Sequence, residues 1–220
     1  MVKLQNVTRA HLGLLLANLV WAVNYPFYKV LMPHYITPVA LATFAVTVAG
    51  LLGLVSLFWG GIEKIDRNDI YKFIGAALLM GIAKKLLLMI GMQHTSPIEA
   101  SIIATLGPIL VLVFSFFFGI DRFTPMKVFG MVLGMGGALL VILSGGGAVT
   151  SGEKLMGNLF VVGAIAASSF SMVWLKGLIM KYRPITVLRV YYPMAAVMLL
   201  PFGFDSMIHT DFAAMPAEAL

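Results

Sequence analysis

Polar residues in this chain are gathered into short islands between long apolar runs. Seven runs, at about 12–32, 39–60, 71–93, 98–119, 126–145, 158–180 and 185–204, each reach the roughly 20 residues a helix needs to cross a hydrocarbon core of about 30 Å. The islands carry turn chemistry: Pro33-His34-Tyr35-Ile36-Thr37-Pro38, Gly60 to Asn68, Gln93 to Pro97, Ile120 to Pro125, a glycine- and serine-containing loop from Ser144 to Gly157, and Lys181-Tyr182-Arg183-Pro184. Backbone groups in lipid must pair internally, and the alternating pattern of a barrel strand is absent, so the runs predict helices. The first run is too long for the apolar core of a signal peptide and no small-residue cleavage site follows it, so it reads as a retained span.

Composition agrees with the pattern. Hydrophobic residues make up 60% of the chain and charged residues 11%, with a mean hydropathy of +0.98. A soluble domain runs near 45–50% apolar and about 25% charged, and could not hide this much apolar surface. There is no cysteine, which excludes a disulfide framework, a thiolate nucleophile and cysteine metal sites. The net charge of +6 could suggest nucleic acid, but the basic residues follow topology instead. With the N-terminus in the cytoplasm, the cytoplasmic segments hold Lys3, Arg9, Lys64, Arg67, Lys72, Arg122, Lys127, Lys176, Lys181, Arg183 and Arg189, and the other side holds Lys29 and Lys154. That bias predicts a cytoplasmic N-terminus and places the segment Asp205 to Leu220 on the far side.

Spans one and two resemble spans six and seven. Gly13-Leu14-Leu15-Leu16-Ala17-Asn18 sets against Gly157-Asn158-Leu159-Phe160-Val161-Val162, and Tyr35-Ile36-Thr37-Pro38-Val39 against Arg183-Pro184-Ile185-Thr186-Val187. Recurrence after five helices inverts the second unit, a signature of secondary transporters with a substrate site near the bilayer midplane. A family resemblance is carried by two stretches. One runs from Thr95-Ser96-Pro97-Ile98-Glu99 to Gly107-Pro108-Ile109, and the other is Asp121-Arg122-Phe123-Thr124-Pro125-Met126-Lys127 with Gly130 and Gly134 beyond it. They resemble the third-to-fourth-helix passage and the loop and fifth helix of EamA-type permeases of the drug/metabolite transporter superfamily. The resemblance implies ten helices in two inverted units that move small organic solutes across the bacterial plasma (inner) membrane. On that pattern residues 1–145 form a first five-helix unit, 146–157 a loop, and 158–220 the start of a second unit, so that the chain reads as truncated after its seventh helix. The predicted fold class is an all-α integral membrane bundle.

The strongest single chemical signal is Lys84-Lys85, beyond the midpoint of span three. A lysine at that depth costs at least about 2.5–3.5 kcal/mol on insertion scales, so an intramembrane pair is a candidate for binding an anionic group. The alternative is a structural pair with a carboxylate or with carbonyls. Glu99, across the hairpin in span four, is the expected partner of Lys85, a candidate proton carrier or counter-ion, or else an interfacial residue favouring the start of its helix. In span one Asn18, Trp21, Asn24, Tyr25, Tyr28 and Lys29 fall within about 140° of the helix circumference. Such a stripe predicts a wall facing solute or protein, with Tyr28 and Lys29 also readable as interfacial anchors. Ser168, with Ser169 and Ser171, could touch solute in span six, although bonding back to the helix is commoner. Pro26, Gly107-Pro108 and Pro193 mark breaks or static kinks. Two small-residue stripes, Gly130, Gly134, Ala138 and Gly163, Ala167, Ser171, predict close helix packing.

The leading expectation is a permease for small organic solutes, anionic where they meet the lysines, working by alternating access in the lipid bilayer. A dimer is compatible with the sequence, and a nucleic-acid partner is not expected. A retinal-type seven-helix receptor would need a lysine in span seven and a carboxylate counter-ion in span three, and neither is present. An intramembrane enzyme would need Gly-x-Ser-x-Gly with a histidine, paired aspartates within spans, or His-Glu-x-x-His, and none occurs. The glycines at 134–137 follow no strand, and His11, His34, His94 and His209 lack metal-ligand spacing, so no cofactor is predicted.

Overall fold

The computed structural model describes residues 2–32, 34–122, 124–144 and 152–210. Every regular element among them is helical: α1 Val2–Leu31, α2 Pro38–Val55, α3 Ile70–Ala76, a π-helical stretch Ala77–Ala83, α4 Lys84–His94, α5 Pro97–Ala104, α6 Gly107–Phe117, α7 Pro125–Ser144, α8 Gly152–Trp174, α9 Lys176–Lys181 and α10 Pro184–Ile208, with short 3₁₀ turns at Ser56–Trp59 and Arg67–Asp69. Six helical stretches are long and apolar enough to cross a bilayer: His11–Leu31, Pro38–Trp59, Arg67–His94, Pro97–Phe117, Gly152–Trp174 and Pro184–Ile208. α7 adds a helix of 20 residues over the predicted fifth span. The chain is an all-α, multi-pass membrane protein.

The helix starts follow from local chemistry. Thr37 accepts a hydrogen bond from the Ala40 N–H with Pro38 in the first turn, and Ser96 accepts from the Glu99 N–H with Pro97 in the first turn. A hydroxyl cap followed by proline satisfies an orphan donor and presets the first helical φ. Just past the end of α6, Gly119 has a φ of +66° that lets the Ile120 N–H fold back to the Ser115 carbonyl at 2.8 Å. One boundary differs from the sequence reading. Residues 152–157, expected in the loop, are the opening turns of α8, where Glu153 favours the positive end of the helix. The rest of that loop, 145–151, lies outside the described residues, as do 211–220 of the C-terminal segment.

Two antiparallel seams organise the bundle. α2 lies along α10: Gly50 faces Ala196 and Pro193, Gly53 faces Arg189 and Pro193, and Gly203 faces Thr43. α4 lies along α8: Gly91 meets Val161 and the Gly157 carbonyl, and Gly163 meets Leu87. Small residues let these backbones approach, as packing in lipid requires. Of the predicted stripe on α7, Gly134 packs on Ile109, Gly130 has nothing near it, and the Ala138 side chain lies outside the described residues. Gly163 faces Leu87, while the Ser171 hydroxyl bonds back to the Ala167 carbonyl at 2.6 Å.

Polar clusters close both ends of the bundle. At one end Lys181 bridges Asp66 and Asp69, Tyr182 donates to Asp69 at 2.9 Å, Lys72 pairs with Asp69 at 2.9 Å, and the Arg183 N–H donates to Glu63 at 2.8 Å. Arg189, only 8% exposed, donates to the Ser56 hydroxyl and to the carbonyls of Ser56, Gly60 and Gly61. It thereby satisfies the carbonyls where α2 ends. At the other end Lys154 pairs with Glu99 at 2.6 Å, and Thr95 bridges Glu99 and Asn158.

Candidate functional site

Between α1, α2, α4, α5, α6, α8 and α10 lies a cavity of about 1220 Å³. α3 and α4 reach it through the π-helical stretch Ala77–Ala83, which ends directly before Lys84. Such bulges add a residue to a helix and re-aim the side chains beyond them, and they are frequent at functional sites. Met80 and Gly81 of the bulge, then Lys84 and Lys85, line the cavity. Position 81 needs glycine because the Ala195 methyl of α10 occupies the space that a side chain would take.

The two lysines diverge. The Lys84 ammonium lies over the Trp21 ring, 5.3 Å from its centroid. The Lys85 ammonium lies 5.1 Å from the Tyr28 centroid and donates to the Tyr28 hydroxyl at 3.0 Å. Neither meets a carboxylate among the described residues. The expected Lys85–Glu99 pair does not form, because the α8 start brings Lys154 to Glu99 while Lys85 turns to α1. Cation–π contacts contribute about 0.5–2 kcal/mol each, less than the roughly 2.5–3.5 kcal/mol that each buried lysine costs. The open volume of the cavity lies beside both ammonium groups.

The structure brings together Asn18, Trp21, Tyr25, Lys84, Lys85 and Ser168 on the cavity wall. The Asn18 amide also donates to the Leu14 carbonyl at 2.8 Å. Asn24 is not on that wall, and its amide bonds the Val20 carbonyl at 3.3 Å. Glu99 is not on it either, although its neighbours Pro97 and Ile98 are. Lys29 spans to the carbonyls of Met92 and Gln93, at 3.4 and 3.1 Å, so it caps the end of α4. The Gly107-Pro108 break also borders the cavity, and the Ser169 hydroxyl donates to the Gly107 carbonyl at 3.2 Å.

Comparison with known proteins decides the lineage. Residues 8–143 match the model of the EamA-like transporter family. The chain belongs to that family. Among the EamA-like chain's relatives, an uncharacterized transporter of Archaeoglobus fulgidus is 25% identical over 79% of this chain and 60% of its own length. The uncharacterized transporters YvbV and YoaV of Bacillus subtilis are each 26% identical, over 91% and 90% of this chain and 65% and 68% of theirs. The chain thus spans about three fifths to two thirds of the relatives it matches. No solved structure matches it.

Ser169, offered by the sequence beside Ser168, also stands on the cavity wall of this EamA-like chain. Tyr192 lines the wall too but escapes sequence reasoning, because it sits in a run of apolar residues with no pattern to mark it. Its placement follows from how α10 packs. The tyrosine pair Tyr191-Tyr192 before Pro193 is the one available signal: its rings stack with centroids 4.3 Å apart, and Tyr191 is buried.

Proposed function

We infer that the cavity is the solute site of a permease for small organic metabolites. The observation that carries this reading is the pair Lys84 and Lys85, without acidic partners among the described residues, beside open volume inside an EamA-like bundle. Trp21, Tyr25 and Tyr28 supply apolar contact for the body of the solute, and Asn18 and Ser168 supply hydrogen-bonding groups. Helices rocking about the site would give alternating access. Residues 1–145 act as one five-helix unit and 158–220 begin a second, inverted one. The end holding Asp66, Asp69 and Lys181 faces the cytoplasm of a bacterial plasma membrane, in keeping with the distribution of Lys and Arg. The protein moves solute without transforming it.

The test is flux in proteoliposomes carrying the full-length protein, with a panel of labelled amino acids, dicarboxylates and nucleosides. Lys84→Ala and Lys85→Ala are expected to cut flux of the transported member at least tenfold, with membrane insertion by protease accessibility unchanged. Unchanged flux in both variants would remove the lysines from the site.

A further inference from the structure

We propose that the cavity selects an elongated organic dianion, with one anionic group held at Lys84 and the other at Lys85. The inference rests on reading the cavity as a solute site and adds the class of solute.

Charge comes first. Two ammonium groups line the wall, and no carboxylate among the described residues does. Glu99, whose neighbours Pro97 and Ile98 border the cavity, is spent on Lys154 at 2.6 Å and on Thr95. Asp66, Asp69 and Glu63 are engaged at one end of the bundle, and Asp121 in a loop with Lys127 at 2.8 Å. A cationic or zwitterionic solute would bring its ammonium into a site of two like charges with no carboxylate among the described residues to receive it. In a partly buried site at an effective dielectric of 20, like unit charges about 4 Å apart repel by roughly 4 kcal/mol. A monoanion leaves one lysine uncompensated, whereas a dianion compensates both.

Spacing comes second. Lys84 and Lys85 are neighbours in sequence, yet one ammonium goes to Trp21 and the other to Tyr28. Those rings stand seven residues apart on α1, two turns or roughly 10 Å of helical rise. The positive charge is therefore spread along the cavity instead of being pooled at one point. A compact dianion such as inorganic phosphate reaches one ammonium well and the other poorly. A chain with an anionic group at each end reaches both, and its body lies against the aromatic faces of α1.

The probe set is adipate, its monomethyl ester, adipamide, 1,6-diaminohexane and inorganic phosphate, titrated calorimetrically into the full chain in nanodiscs of zwitterionic lipid. Adipate is expected to bind at least tenfold tighter than the monoester, and the monoester tighter than adipamide. Lys84→Met and Lys85→Met should each erase the gap between adipate and monoester, and Lys84→Arg should keep it. Circular dichroism and monodispersity establish that each variant is folded. Equal affinity across the charge series, tighter binding of the diamine, displacement of adipate by phosphate at equal concentration, or no saturable adipate binding would each overturn the proposal. The expected affinity order without flux of any solute would sink the permease reading and leave this one standing. Flux of a neutral solute, with no charge order in binding, would sink this one alone.

Discussion

At the residue scale the chain's charged side chains divide into those with complete partners and those without. Arg189 is of the first kind. Its guanidinium makes four hydrogen bonds, to one hydroxyl and three carbonyls at the end of α2, all between 2.6 and 2.8 Å. The fork geometry matters, because a lysine offers a point charge that cannot serve Ser56, Gly60 and Gly61 together. Arg189→Lys is therefore expected to lower stability by on the order of 2–4 kcal/mol, since buried carbonyls lose charged donors. Unfolding in mixed detergent micelles measures it, and a loss below about 0.5 kcal/mol would contradict the clamp. Lys84 and Lys85 are of the second kind, with ring faces and one phenol hydroxyl as their partners among the described residues. The sequence marks these two by depth alone, and Asn18, Trp21, Tyr25 and Ser168 stand with them on the cavity wall while Asn24 and Glu99 do not. It misplaces the partner of Glu99 because hairpin proximity is a local argument, and the choice between Lys85 and Lys154 depends on where α8 packs.

At the element scale glycine decides how closely helices meet. Gly91 faces Val161 and the Gly157 carbonyl so tightly that a Cβ there would stand 2.7 Å from the valine methyl and 2.8 Å from the oxygen. Gly91→Ala must push α4 off α8 and is expected to cost about 1–3 kcal/mol. Gly130→Ala meets nothing within 4 Å and should change stability by less than about 1 kcal/mol, in the stabilising direction set by helix propensity. The same detergent unfolding assay compares them, and equal losses would mean the seams do not hold the bundle. Helix existence was legible throughout, because a run of twenty apolar residues admits little else in lipid. The bulge at Ala77–Ala83 was not. No proline or glycine pair announces it, and it arises from fitting span three against α8 and α10 at once.

At the scale of the whole molecule the two ends are fastened by ionisable groups, some joining segments far apart in sequence and others, like Asp121 and Lys127, closing a single loop. The Arg183 N–H and Thr186 hydroxyl hold the Glu63 carboxyl below its usual range, and Lys127 does the same to Asp121. Asp66, then Asp69, raise the Lys181 ammonium above its usual range. The signs fix a window. A depressed carboxyl contributes stability that is present above its unfolded pKa, near 3.9–4.3, and is lost as pH falls through the folded value. A raised lysine contributes stability that is present below about 10.4 and is lost as pH climbs through its folded value. The melting temperature should therefore hold between about pH 5 and 10 and fall on both sides. Lys127→Ala should shrink the acid-side loss, and an acid limb identical to the parent would exclude Asp121 from it.

α1 contributes little to that fastening. Its apolar face, Leu14, Leu15, Leu16, Leu19 and Val20, is more than half exposed, and Trp21, Tyr28 and Lys29 tie it to α4 and the C-terminal end of that helix. A helix so lightly sewn to its neighbours is the seam where the protein tears first. Drawn upward by its N-terminus in a single-molecule force experiment, the chain should surrender about thirty residues as one early, low-force step, well before the α2–α10 and α4–α8 pairs give way.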